Sequence, residues 1–357
     1  MSTSRRTALF GLSRQQLRPV VERIAGEPLA AFGVRVEPQE WLHYGVRGDK
    51  AVVVFDWTAR SGWTGSSRAF VKKQGDPVQV GGRPVEPRPV EAEHYRWLAR
   101  HGAPIPRLYG ALTVADPDER EILFVEHLAG VVTEGEPWAG LQSDADRFHR
   151  YLAAVARFSA IQPSGHDASP LPRPHRHFRH QMAGWERKLD ALWRDAQDGR
   201  LGDELRQACA DGGREQLRRL GARLRGAIGG MAQGLSAGDH EPFQSGWRES
   251  GEAVLFDLEL VGFAPRFYDI AVTLGAPDDY CPRCRPGREL AEHYLAEYAR
   301  FGGSRVPVEQ LLAETRALWL AWTIGWIGYW HRPARDGRPD ARRLLHRKLR
   351  CLLREAP

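Results

Sequence analysis

A change of periodicity near residue 130 constrains this chain more than any other feature. Before it, apolar residues come in short β-rich runs separated by turn signals; after it, they recur at helical spacing over long stretches. From about Val34 to Gln74, the runs EWLHY, AVVVFDWTA and RAFVKKQ are separated by GVRGDK and RSGWTGSS, which predicts an antiparallel meander after a helical lead-in. A Pro-rich stretch follows. Then VEAEHYRWLARHG places Glu91, Tyr95 and Leu98 on one helical face with Gly102 at its end, and RLYGALTVA and EILFVEHL flank the acidic turn DPDER. The expected fold is α+β and bilobal. Residues 1–130 form a small five-stranded antiparallel β lobe with one helix, and residues 131–357 a larger, mostly helical lobe.

In the second lobe helices are expected around Ala145–Ala160, Phe178–Gln197, Asp203–Gly229, Arg288–Phe301, Val308–Trp330 and Pro339–Arg354. Leu235–Leu260 interrupts them with turn and strand signals, and it carries Asp239 and Asp257. At 357 residues the chain can bury two cores, and 42% hydrophobic content is ordinary for a globular protein. The net charge of +6 comes from interleaved acids and bases, without the Lys/Arg runs or aromatic-basic repeats of nucleic-acid binders. Four cysteines are too few for a disulfide framework, and MSTSRRTALFGLSRQQ offers only a very short apolar run, so the chain reads as cytoplasmic. ALWLAWTIGWIGYW is shorter than the roughly 20 residues of a membrane span and reads as a buried helix, so no membrane partner is expected.

The ordered parts suit phosphoryl transfer: a glycine-containing first turn, a strand lysine, a helix glutamate, then an aspartate loop inside a helical lobe. Gly45 and Gly48 would let a turn approach phosphates closely, and Lys72 would bring them a positive charge. Lys72 is preferred to Lys73 because strand alternation puts it on one face with Phe70. Glu91, preferred to Glu93 because it shares a face with Leu98, would pair with Lys72. Asp257 would bind Mg²⁺, and Asp239 would orient or deprotonate an attacking hydroxyl.

With these parts the chain resembles the aminoglycoside phosphotransferase/choline kinase branch of the protein-kinase-like superfamily. The family's His-Gly-Asp-x-x-x-x-Asn loop corresponds to AGDHEPFQ (Ala237–Gln244), its Ile-Asp-Trp/Phe-Glu motif to LFDLE (Leu255–Glu259), and its Tyr-Asp-Leu-Ala to FYDIA (Phe267–Ala271). The resemblance runs from about Gly45 to Gly275 and rests on order and spacing rather than on any one piece. It implies ATP and Mg²⁺ as cofactors, Gln244 as a second metal ligand, Asp269 as a brace of the catalytic loop, and Glu126 and Leu128 as further nucleotide-binding positions. Two departures stand out. Ala237 replaces a histidine that would brace the loop, and Gln244 replaces an asparagine, moving its amide one methylene further out.

Other motifs have simpler readings. The CPRC pair, Cys281 and Cys284, supplies two of the four ligands a structural zinc site needs and reads as incidental thiols. His175, His177 and His180 read as a solvated basic loop near the substrate mouth, and Trp319, Trp322, Trp326 and Trp330 as core at helical spacing. The implied activity is ATP- and Mg²⁺-dependent transfer of the γ-phosphate to a hydroxyl of a small molecule or a peptide Ser/Thr, in natural-product biosynthesis or resistance. The alternative is a pseudokinase or nucleotide-binding docking module. The insert from Pro174 to Arg225, crowded with Arg and His, argues against a highly cationic acceptor.

Overall fold

A computed structural model describes residues 9–37, 50–73, 79–80, 83–84, 91–114, 120–131, 144–162, 169–171, 178, 182–210, 212–238, 244–276 and 288–356. The chain forms two compact units. The first comprises Met1–Val131 and Gly246–Glu259; the second comprises Val132–Ser245 and Leu260–Pro357.

In the first unit, α1 (Arg14–Ala25) starts from a reciprocal cap. Ser13 Oγ accepts from the Gln16 N–H while Gln16 Oε1 accepts from the Ser13 N–H. Its apolar face, Leu17, Val20 and Val21, enters one core with Leu29, Val53, Phe55, Val71 and Phe124 of the sheet. That sheet contains β1 (Leu29–Glu37), β2 (Lys50–Ala59) and β3 (Thr64–Lys73). A small hairpin, β4 (Gln79–Val80) with β5 (Arg83–Pro84), precedes α2 (Glu91–Arg100), β6 (Leu108–Val114) and β7 (Arg120–Glu126). The five-stranded order is β1-β2-β3-β7-β6, antiparallel throughout.

The α+β architecture and a five-stranded antiparallel sheet are as expected, and the strand that pairs with β2 at its edge is Leu29–Glu37, most of which the sequence pattern placed in a helical lead-in. Its alanines favour helix locally, and pairing along β2 from Leu29↔Ala59 to Glu37↔Val52 overrides that preference. EWLHY, Gly45 and Gly48 lie outside the described residues.

Gly246–Glu259, which a division at residue 130 would leave with the helical region, packs in the first unit. Strand Ser245–Trp247 joins Gly130–Val131, and the Leu255 N–H donates to the Pro104 carbonyl at 2.8 Å. Arg248 secures the segment by donating to both Glu126 carboxylate oxygens at 3.0 Å and to the Ile105 carbonyl at 2.8 Å.

The second unit is mostly helical, with helices at Ala145–Ser159, Trp185–Gln197, Asp203–Ala210, Gly213–Gly229, Arg288–Arg300, Val308–Gly325, Ile327–Arg335 and Pro339–Glu355. Two expected helices are each split. Asp203–Gly229 divides before Gly212, whose φ of 75° is left-handed. Val308–Trp330 divides at Trp326, and the second helix buries Ile327, His331 and Ala334. Trp319 is core as expected, whereas Trp322, Trp326 and Trp330 are half-buried. The buried Lys348 ammonium lies 4.1 Å from the Trp330 ring centre and 5.1 Å from that of Trp322, a cation–π arrangement. The CPRC cysteines and the three histidines of PHRHFRH lie outside the described residues. Among the described residues no helix is long and apolar enough to cross a membrane.

Candidate active site

Sheet alternation sends Val71 into the core beneath α1 and Lys72 to the opposite face. There Lys72 is almost fully buried and meets three carboxylates of the same unit. Its Nζ donates to Asp257 Oδ1 at 2.8 Å and to Glu259 Oε2 at 3.4 Å, and lies 3.2 Å from Glu91 Oε2. Glu91 opens α2 and is buried, whereas Glu93 is exposed and Lys73 sits near the Phe10 ring. Of the competing pairs, Lys72 and Glu91 are therefore the two brought together. Asp257 has φ 62°, a left-handed conformation uncommon outside glycine, and local strain of this kind clusters at functional sites.

One ammonium thus faces three carboxylates, a formal excess of two negative charges. Asp257 and Glu259 are the partly exposed members, at 35% and 24% of their side chains. A pair of hard oxygen donors carrying that excess is the chemistry Mg²⁺ takes, so the residues fit the metal. Burial pushes the Lys72 pKa down, but Glu91, Asp257 and Glu259 together overcome this and hold it well above its usual value. For Glu91, burial outweighs the attraction of Lys72, and with repulsion from Asp257 and Glu259 the carboxyl is raised to about 7.

This shift has a pH signature. The folded state retains a proton on Glu91 that the unfolded chain releases above about 4.5, so this group's contribution to stability falls as pH rises from about 4.5 to about 7. Glu91→Gln is expected to flatten that slope. Urea unfolding of both proteins at pH 5 and pH 7.5 measures it, and equal slopes would remove Glu91 as the cause.

In the second unit, strands Gln233–Ser236 and Gly262–Pro265 pair antiparallel; the first leads into AGDHEPFQ and the second toward FYDIA. Asp269 is buried. Its Oδ2 accepts from the Ala237 N–H at 2.8 Å, its Oδ1 accepts from Ser236 Oγ at 2.6 Å, and Ser236 Oγ accepts from the Gly238 N–H at 3.0 Å. The start of the loop is thus tied down through Ser236 and Asp269 although position 237 is alanine, itself buried. Gly238 adopts φ 99°, and a Cβ there would stand 2.4 Å from the Leu260 carbonyl oxygen. Backbone cannot give way as a side-chain tip can. Gly238→Ala is expected to destabilise the second unit by about 2–4 kcal/mol from left-handed strain plus overpacking, read as a lower melting temperature. A melting temperature equal to wild type would contradict this.

The remaining positions divide. Asp239 lies outside the described residues; Gln244 is described, with a buried side chain, and Leu128 is half-buried. The Glu126 carboxylate is occupied structurally. Burial would raise its pKa, but hydrogen bonds from Arg248 and from the Arg107 N–H prevail and lower it. Sequence reasoning assigned no role to Glu259, although it ends the LFDLE motif, or to Arg248 and Ser236. His94, three residues after Glu91 on α2, was also missed; its Nδ1 lies 3.1 Å from the Leu258 carbonyl oxygen. Among the described residues no cluster of three or more His, Cys, Asp or Glu is arranged as a ready-made metal site.

No model of a known protein family matches the chain, and no curated protein sequence does. Solved structures do share its fold. Choline kinase from Cryptosporidium parvum Iowa II superimposes with a TM-score of 0.53 at 12% identity, covering 91% of this chain and 88% of that one. Ethanolamine kinase from Plasmodium vivax gives 0.51 at 13% identity, covering 91% and 83%. Aminoglycoside phosphotransferase from Alicyclobacillus acidocaldarius gives 0.50 at 16% identity, covering 93% and 95%. The chain therefore has the protein-kinase-like fold of the aminoglycoside phosphotransferase and choline kinase structures, at low sequence identity.

Proposed function

We propose that this chain is an ATP- and Mg²⁺-dependent phosphotransferase that moves the γ-phosphate of ATP to a hydroxyl of a small molecule or of a peptide Ser/Thr. The observation that carries the reading is the buried Lys72 ammonium held among Glu91, Asp257 and Glu259. A lysine that only stabilised the fold would need one carboxylate. Three of them, two reaching solvent, leave an excess of negative charge that a bound Mg²⁺ would offset. Asp257 would hold Mg²⁺ with Glu259, and the metal would supply charge neutralisation on the phosphates. Lys72, oriented by Glu91, would bind phosphate oxygens. Asp239 would orient the acceptor hydroxyl and take its proton, while Asp269 and Ser236 keep the preceding backbone in place. Positioning and electrostatics are what a loose phosphoryl-transfer transition state asks of a protein.

The ion pairs of the Pro174–Arg225 insert bear on the acceptor. Glu186 pairs with Arg225, Asp190 with Arg214 and Arg218, and Asp195 with Arg200 and His331. Asp198, Asp203 and Glu215 likewise each have an arginine partner, and Glu204 lies 3.6 Å from His346 Nδ1. Among its described residues most carboxylates of the insert already face an arginine, which favours a neutral or acidic acceptor over a polycation.

The test is thermal stabilisation by ATP with and without Mg²⁺, followed by ATP consumption with neutral, acidic and cationic hydroxyl compounds and Ser/Thr peptides. Stabilisation that requires both ATP and Mg²⁺, with consumption raised by an acceptor, is the expected result. A second reading, a nucleotide-binding module without turnover, draws on Ala237 and Gln244 in place of the family's histidine and asparagine. Mg²⁺-dependent ATP binding with no consumption under any acceptor would select it, and no nucleotide response would overturn both.

A further inference from the structure

The helix that carries Glu91 makes a second polar contact to the same loop. His94 follows Glu91 by three residues on α2, so both side chains project from one face. Glu91 reaches Lys72, and His94 Nδ1 lies 3.1 Å from the carbonyl oxygen of Leu258. Leu258 stands between Asp257 and Glu259, and its side chain is fully buried. A carbonyl oxygen only accepts, so the imidazole must carry its hydrogen on Nδ1 and donate it.

The contact falls where the backbone needs it. Asp257 is held at φ 62°, a conformation that costs about 1–2 kcal/mol for a residue with a Cβ. Left alone, such a residue relaxes, and its carboxylate turns with it. Two neighbouring constraints oppose that relaxation: the Lys72 bond to the Asp257 side chain and the His94 bond to the next residue's carbonyl. Both constraints trace back to one turn of α2, the first through Glu91 and the second directly.

We infer that His94 is a positioning residue that sets the Asp257 and Glu259 carboxylates for the metal, so that α2 holds the phosphate-binding lysine and the metal-binding loop together. The metal-binding part of this inference rests on the function proposed above; the backbone constraint does not.

The experiment uses the full chain and two variants. His94→Leu keeps bulk and removes the donor, and His94→Asn places an amide N–H near the position of Nδ1. Two quantities are read: hydrogen exchange of the backbone amides at 256–259 without nucleotide, and the Mg²⁺ concentration giving half-maximal stabilisation by ATP. For loss of one neutral hydrogen bond, His94→Leu is expected to raise both by roughly fivefold to tenfold, with the ATP concentration dependence at saturating Mg²⁺ unchanged. His94→Asn is expected to restore both toward wild type, which loss of packing alone would not allow. Unchanged exchange at 256–259 in folded His94→Leu overturns the inference, as does an Asn variant no better than Leu. If His94→Leu does not fold, the Asn variant decides: wild-type exchange supports the constraint and loosened exchange overturns it. A wild-type protein that ATP and Mg²⁺ do not stabilise would sink the proposed function, while the exchange data would still decide whether His94 holds the loop.

Discussion

Asp257→Ala is expected to yield a folded protein whose melting temperature no longer responds to ATP and Mg²⁺ together. Asp257 stands on a partly exposed turn, and Lys72 keeps two carboxylate partners when it is lost, Glu91 at 3.2 Å and Glu259 at 3.4 Å. The core of the first unit, from Leu9 through Phe124, does not include it. What disappears is an anionic oxygen whose charge no neighbour replaces. For wild type, ATP at about 100 times its dissociation constant adds about 2.7 kcal/mol, a shift of several degrees for a chain this size. In the variant that shift should fall to the level seen without Mg²⁺. Asp257→Asn separates charge from shape: it keeps the turn's side-chain geometry and should lose the response as well. A folded Asp257→Ala protein with undiminished Mg²⁺-dependent stabilisation would refute the metal assignment.

Asp239→Asn is expected to show the opposite separation. Nucleotide binding should stay near wild type while phosphate transfer falls by about 10²–10⁴, the usual range for a positioned general base. The measurement is single-turnover transfer to an acceptor identified by ATP consumption, beside ATP-dependent melting of the same preparation. Loss of ATP affinity with activity falling in proportion would make Asp239 a nucleotide ligand and reverse the division of labour between the two aspartates. The pair of variants therefore tests the mechanism at two points: one removes binding, the other chemistry.

Local pattern carried much of this in advance. Period-two runs broken by Gly-rich turns specify strands, so β2 and β3 pair as expected, although β3 starts at Thr64 inside the segment read as a turn; alternation together with the family's frame favours Lys72 over Lys73. Helical spacing selects Glu91 over Glu93 and locates the Ala145–Ser159, Arg288–Arg300 and Pro339–Glu355 helices to within a residue or so. Both signals live within a few residues, where side-chain periodicity reflects which face is buried. Where the pattern misled on β1, a longer-range contact prevailed: pairing with β2 makes Leu29–Glu37 a strand; the apolar run from Val308 is two helices that meet at Trp326.

The sequence by itself thus determined the β-then-α order of the chain and the chemical types at its candidate site, because periodicity and residue identity are local properties. Only the tertiary structure decided which charges meet. Lys72 and Asp257 are 185 residues apart in the chain, Arg248 and Glu126 are 122 apart, and His94 lies 164 residues before the carbonyl it holds. No local pattern ties such pairs together. They meet because Gly246–Glu259 gains backbone hydrogen bonds and the Arg248 ion pair by packing in the first unit, and that packing sets Asp257 and Glu259 beside a lysine whose burial makes their charges count.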